Sequence, residues 1–512
     1  MKRRHSARYG TESTAMLFTI LTIVLSLGTI SAHTITEAKL EVQAPAQNST
    51  KPNLMSTAQA SQAFADVFAI DQQAFDTHIG QVADRATASF LREYMALMQY
   101  TAANTEENYD AYMKASDRAM SDASKSAYEA NLLCQLHIHK AAVYLYSGSL
   151  FNGGIQFWKA YNQFKTGEKR YPEYEGQLPL RGMFNILLSQ VPEKWKTLAG
   201  LLGLSDGDLD AGFAQIEQHR KNAMATPGLR DEALLFSFTN MFFSHDQKLT
   251  AELKQLLRAN ENPVIRYAYV LSCGRAQRGE EAIEALAATS KTAMQRFPLF
   301  YHQLGKYALR QLKLDETIEW SRKFLNIYRG KSNTNNAYLQ MAYAYILKGN
   351  RAEAQKMIDK CQKESTDFDI DRRTHEEAAL AMDIDVNMLK ARLQFEFGNF
   401  AQSLDMLKGF NPKTKDLPEY YFRMGRAYDK LGQKIEAKRW YDKAIESSAK
   451  STRYFGPYAA VHAADICLEA RQNADALKYV EKARKLNNGE YKKELDQRIE
   501  LTERKAKGIR VE

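Results

Sequence analysis

The sequence predicts an all-α protein, an α-solenoid of antiparallel helix pairs, on three observations. Only 11 of its 512 residues are proline, and Ala, Leu, Tyr, Lys and Glu are abundant, a balance that leans to helix. Apolar residues recur every three or four positions along most of the chain, the period of an amphipathic helix. In the second half a compact residue returns at a nearly constant interval, at Val270, Gly305, Ala342, Ala391, Gly425 and Ala464, with separations of 35, 37, 49, 34 and 39. Such a period marks stacked helical hairpins, each of which buries its apolar face only against its neighbours.

The clearest element runs from Pro418 to Ser451. Tyr421, Met424 with Gly425, Tyr428, Gly432, Ala437, Tyr441 and Ala444 alternate large and small residues, so that two helices can approach closely, with Gly432 at the turn. On those residues the stretch resembles a tetratricopeptide repeat (TPR). The resemblance extends over 263–486, strongest at Tyr338–Cys361 and Pro418–Ser451. The small residue of each second helix follows as Ala282, Thr317, Ala354, Ser403, Ala437 and Ala476, with Thr317 a departure, and turn glycines recur at Gly349 and Gly398.

At the amino terminus, MKRRHSAR is followed by an apolar run from Ala15 to Ile30 and then by Ser31 and Ala32, the order of a secretory signal peptide (1–32) cleaved after Ala32 or after Gly28. Left uncleaved, the segment would hold the protein at a membrane, although the run is shorter than the ~20 residues a spanning helix needs. Residues 33–61 are rich in Thr, Gln, Ser, Asn and Ala and read as a flexible tether, which includes a formal glycosylation sequon at Asn48. Residues 62–262 show helical periodicity without clear repeats: Phe64, Phe68 and Phe75 on one face, a long helix between Ala123 and Ser147, and another from Leu150 to Arg170. Together with the apolar stretch Leu178–Leu204, which carries Trp195, this region loosely resembles the amino-terminal part of secreted TPR proteins of Bacteroidota whose roles are not established. Residues 487–512 are highly charged and read as a polar capping helix without a further apolar face.

Charge and cysteine usage narrow the function. The formal charge is +9, and removal of the leader's net +3 leaves +6 on the remainder. Spread over a long chain, that is too dilute for nucleic-acid binding, which concentrates cations on one face. Cys134, Cys273, Cys361 and Cys467 lie far apart inside predicted helices and read as buried apolar residues. His137 and His139, two apart on a helix, point to opposite sides and cannot ligate one metal. Asp367, Asp369 and Asp371 open like a calcium loop, but Arg372 stands at the obligatory glycine and Ala378 at the closing glutamate. His375-Glu376 begins an HExxH motif that Ala379 fails to complete. No nucleotide loop, nucleophile elbow or cofactor fingerprint occurs, so the expectation is a binding protein without enzymatic activity or cofactor.

The TPR resemblance implies a protein or peptide partner held on the inner faces of successive first helices. Transfer of the family's lining positions gives Tyr267 and Arg275, His302, Lys306 and Arg310, Arg392 and Phe395, and Phe422 and Arg426. The first two repeats contribute cations and aromatics without an acid. Arg275, Lys306 and Arg310, with Tyr343 on the apolar flank, are therefore expected to receive an acidic segment. The alternative is a cell-envelope carbohydrate-binding protein on a TPR scaffold. Against it, the chain has only four tryptophans, Trp158, Trp195, Trp320 and Trp440, each in an apolar helical pattern.

Overall fold

The computed structural model describes residues 57–508 apart from 125–128, 173–175, 190–199, 201–202, 205, 226, 245–250, 253, 256, 258–261, 365–368 and 490–491. The leader, the sequon, Trp195 and nearly all of the tether lie outside the described residues. Among the described residues the structure is helical throughout, without a strand.

The amino-terminal helices are α1 (Ala58–Ala69), α2 (Gln72–Ile79), α3 (Arg85–Ala102), α4 (Glu106–Ala123), α5 (Glu129–Tyr146), α6 (Leu150–Arg170), α7 (Gln177–Ser189), α8 (Leu209–Ala223) and α9 (Pro227–Ser244). Helix α1 starts inside the stretch that composition assigned to the tether. Thr57 caps it, its Oγ1 accepting from the Ala60 amide at 3.1 Å, and the polar first turn conceals the start from periodicity. Pairs α3–α4, α5–α6 and α7–α8 pack as hairpins, and α9 returns to pack on α1, which closes the region on itself. Phe64, Phe68, Phe90 and Tyr94 form its aromatic centre, with Phe64 and Tyr94 5.4 Å apart. His137 and His139 diverge as their spacing requires. The first meets Gln156 of α6 at 2.7 Å and the second Glu93 of α3 at 2.9 Å.

The repeat array comprises α10 (Pro263–Ala276) and α11 (Gly279–Ala287), a short α12 (Lys291–Arg296), α13 (Leu299–Arg310) and α14 (Leu314–Ile327), and α15 (Thr334–Leu347) and α16 (Arg351–Cys361). Helix α17 (Asp369–Ala378) is then inserted, before α18 (Val386–Phe397) and α19 (Phe400–Lys408), α20 (Leu417–Lys430) and α21 (Lys434–Ser447), α22 (Phe455–Glu469) and α23 (Asn473–Leu486), and α24 (Lys492–Ala506). The insertion explains the one long interval, Ala342 to Ala391. All twelve compact positions are buried, and their register is strict. A β-carbon on Gly425 would come within 2.5 Å of the Tyr441 ring, so the first helix can lie in the groove of the second only with glycine there. At the two polar positions the hydroxyl bonds to backbone: Thr317 Oγ1 donates to the Lys313 carbonyl at 2.8 Å and Ser403 Oγ to that of Ala391 at 2.7 Å. Burial then leaves no hydroxyl without a partner.

The turn between paired helices repeats more faithfully than its sequence. Seven residues after each compact position the backbone enters the left-handed region: Gln277 (φ 59°), Leu312 (φ 61°), Gly349 (φ 78°), Gly398 (φ 112°), Gly432 (φ 75°) and Arg471 (φ 58°). Three of the six are not glycine and accept a strained conformation because the two helices they join fix the chain direction.

The four cysteines are buried and free, as expected of small apolar residues. The carboxyl-terminal helix departs from expectation. Leu495, Ile499, Thr502 and Ala506 are buried against α22 and α23, so α24 caps the array with an apolar stripe. The stripe is hard to read because its members are spaced four, three and four apart among ten polar or charged neighbours.

Two long-range contacts curl the molecule. The carboxyl end of α18 folds back on the first two repeats, where Gln394 Nε2 donates to the Arg310 carbonyl at 2.9 Å and Gly398 abuts Gln277. The loop after α14 docks on the amino-terminal region: Asn104 Oδ1 accepts from Tyr328 Oη at 2.7 Å and from the amides of Lys331 and Ser332 at 2.9 and 3.2 Å.

Arg471 is exposed in a left-handed turn, so Arg471→Gly relieves about 1–2 kcal/mol of local strain against a smaller entropic cost. Thermal unfolding is expected to shift upward for Arg471→Gly and downward for Gly432→Ala; the same sign for both would contradict this assignment of the turn.

Candidate binding groove

The first helices of the repeats carry the residues that the family's lining positions select, and the structure divides them into three groups. Tyr267 and His302 belong to the packing. Tyr267 lies 4.8 Å from the Phe297 ring and 5.6 Å from that of Phe300. His302 is buried, its Nε2 2.9 Å from Asn336 Oδ1 and its ring 5.3 Å from that of Phe324.

Arg310, Tyr343 and Arg392 form a neutralised lattice on the inner side. Because α18 folds back, Arg310 meets Glu396 at 3.5 Å, and Arg392 meets Glu396 at 2.8 Å and Glu377 at 2.7 Å. Tyr343 donates to Glu377 at 2.7 Å. Burial alone would raise the Glu396 carboxyl, but Arg392 and then Arg310 outweigh it and hold it at about 2. The same holds in direction for Glu419, where burial is overcome by Arg423 and Arg453. The cationic stretch expected from Arg275, Lys306 and Arg310 therefore does not stand without acids. Its acids come from α17 and α18: Glu396 is itself a lining position of a later repeat, and Glu377 lies in the insertion. Lys306 remains half-buried on α13.

The third group opens to solvent. Arg275 is exposed at the end of α10, yet the protein mass around it pulls its guanidinium down to about 10, with Arg498 of α24 adding repulsion. Arg275 and Arg498 thus lie near enough to repel each other. Arg426 lies over the Phe395 ring at 4.2 Å and the Phe422 ring at 5.7 Å, and both rings are buried. His462 stacks on Tyr441 at 5.5 Å and lies 6.0 Å from Phe422. Burial, followed by repulsion from Arg498, Arg426, Lys430 and Lys434, drives His462 well below the ordinary histidine value. Lys430 is likewise lowered, by burial and by Arg426. Asp465, 3.2 Å from Arg498, and Asp429, 2.8 Å from Lys434, offset part of this charge. The family's lining positions do not include His462, and Arg498 belongs to no repeat, so the alignment could find neither.

Among the described residues no group of three or more His, Cys, Asp or Glu is placed to hold a metal ion, and no described helix is long and apolar enough to cross a membrane.

The family model for the tetratricopeptide repeat matches residues 336–367 and 418–451, the two stretches in which the motif is strongest. These are tetratricopeptide repeats, and the array around them is a TPR-like α-solenoid of antiparallel helix pairs. No curated protein matches the sequence. Similar solved structures include the human IFIT1 dimer with m7Gppp-AAAA, at 15% identity over 84% of this chain and 94% of that one, with a TM-score of 0.32. Yeast Tom70 matches at 13% identity over 87% and 88%, with a TM-score of 0.30. Cut9–Hcn1 of the APC/C matches at 12% identity over 87% and 100%, with a TM-score of 0.26. Superpositions this loose carry no argument about what this chain binds.

The buried histidines set a pH dependence. Burial draws His137 and His219 down to about 4, and His462 is also lowered. Each takes up its proton first in the unfolded chain, so stability is lost as pH falls below an unfolded value of about 6.5. Glu232, pushed up to about 7 by burial, acts oppositely and gains stability over the same interval. With three groups against one, denaturant midpoints are expected to fall between pH 6.5 and 4.5, less steeply in His462→Asn. A flat profile would contradict these assignments.

Proposed function

We propose that this protein is an exported scaffold of the cell envelope or periplasm that binds an acidic segment of a protein partner on the inner side of its repeat array. The observation that carries the reading is the convergence of Arg426, Lys430, Lys434 and Arg498 on His462, with Arg275 near enough to Arg498 to repel it. These five cations meet three carboxylates, Asp429, Asp465 and Glu469. That imbalance favours a ligand that supplies negative charge. A TPR-like array offers a long inner surface, which supports a binding role.

A fluorescent peptide of alternating Glu and Leu tests this site. Arg275→Glu with Lys430→Glu, both exposed, should weaken binding about tenfold or more, flatten its salt dependence, and leave the circular dichroism unchanged. Unaltered affinity, or affinity indifferent to salt, would remove this region as the site.

Export rests on the charge and apolar order of residues 1–32. Amino-terminal sequencing of the mature protein should begin at or near His33. Intact Met1 in a membrane fraction would replace cleavage with anchoring, and intact Met1 in a soluble fraction would end the export reading.

A further inference from the structure

The outer face of the array, formed by second helices, carries a groove. It runs between α14 and α16, encloses about 540 Å³, and has a floor of Leu325, Tyr338, Met341 and Met357. A second hollow of about 530 Å³ along α14 adjoins it through Arg322 and Asn326 and extends the apolar surface to Ile318 and Ile327, the latter 36% exposed.

The repeat register shows what a closed counterpart looks like. Between α21 and α23 the corresponding space is bridged: Tyr479 reaches back to Asp442 of the preceding second helix at 2.7 Å, and Lys438 and Lys482 flank its ring. Tyr479 stands fifteen residues after its compact position, and Asp442 seventeen after that of the preceding repeat. In the α14–α16 pair those two places are taken by Met357 and Arg322. A thioether is only a weak acceptor, and no bond between Met357 and Arg322 spans the groove.

The rim is cationic. Glu353 is neutralised by Lys356 at 2.5 Å, and Asp359 accepts from Gln355 at 2.8 Å. Among the described residues Arg322, Lys360 and Lys363 form no ion pair; Arg322 donates to Tyr345 Oη at 2.9 Å, and Lys360 lies over the Tyr338 ring at 5.8 Å. Arg322, Lys356, Lys360 and Lys363 outnumber the two carboxylates of the groove, Glu353 and Asp359, and that balance around a methionine floor calls for negative charge flanking apolar side chains. The backbone on both walls is internally bonded helix, so an extended strand would find no partners for its own amides and carbonyls, whereas a helix brings them satisfied. The eleven residues of α16 give a groove of about 16 Å, or roughly three helical turns.

We propose that this groove receives an acidic amphipathic helix of a partner protein, with Leu, Ile or Met on one face seated over Met341 and Met357 and Glu or Asp on its flank against Arg322, Lys360 and Lys363. It is a second docking surface, on the opposite side of the array from the inner site. Methionine's adaptability permits a range of apolar side chains on the incoming helix.

The test uses the full chain and a labelled fourteen-residue helical peptide with a Leu face and a Glu flank, beside a copy with Gln in place of each Glu, by fluorescence anisotropy at low and high salt. The Glu peptide is expected to bind at least about tenfold more tightly than the Gln peptide, and the difference to shrink with salt. Lys360→Glu with Lys363→Glu should abolish the difference. Met357→Tyr, which restores the bulk found at Tyr479, should block both peptides without lowering the melting temperature. Equal binding of the two peptides, no binding, or indifference to these variants would overturn the proposal. So would loss of binding in Arg275→Glu with Lys430→Glu, which would place the peptide at the inner site. Concentration-dependent dimerisation abolished by Met357→Tyr would overturn it in favour of a second copy of this chain.

Discussion

Everything in the repeat array depends on how closely paired helices can approach. At Gly425 the distance is set by the Tyr441 ring, which leaves no room for a β-carbon. The same approach recurs wherever Val270, Gly305, Ala342, Ala391 or Ala464 meets its second helix, and it fixes the relative rotation of the two helices. That rotation forces the connecting residue into the left-handed region in all six pairs, even where the residue is Gln277, Leu312 or Arg471. Packing therefore dictates the turn, and glycine relieves the strain at three places without being its cause.

A second constraint is the pair of long-range contacts that bend the solenoid back on itself. Asn104, nearly buried between α3 and α4, gathers three donors from Tyr328, Lys331 and Ser332, and Ser332 in turn lies 2.7 Å from Tyr146 Oη. Lys331 adds an ion pair to Glu106 at 2.7 Å, and Arg296 another to Asp71 at 2.6 Å. Through these contacts the amino-terminal helices brace the outer loops of the second repeat. On the other side, α18 braces the inner ends of α10 and α13. The array so clamped brings Arg275 at its start near Arg498 at its end.

That curvature sorts the charges. Cations near α18 meet Glu377, Glu396 and Glu419, and the carboxylates are held low because the arginines outweigh their burial. Around His462 the cations exceed the carboxylates, and burial first, then that excess of positive charge, lowers the affinity of His462 and Lys430 for protons. Like charge gathered in this way is destabilising unless an anion relieves it, and for that reason this region rather than the lattice is read as a binding surface.

How much of this was legible in the sequence varies with distance along the chain. The helix pairs, their register, the burial of the cysteines and of Ala444, and the divergence of His137 from His139 follow from periods of three to four and about thirty-four residues, which short-range geometry enforces. The sequence by itself therefore determined the architecture and the positions that line its inner side. It did not determine which of those positions face solvent. Arg310 and Arg392 looked like their counterparts Arg275 and Arg426 until α18 brought Glu396 between the first pair and the cap brought Arg498 near the second. The stripe of Leu495, Ile499, Thr502 and Ala506 likewise became visible only against α22 and α23. Electrostatic partners and packing faces across the superhelix are set by its curvature, and curvature is the sum of small rotations at every pair, a quantity that no single repeat encodes.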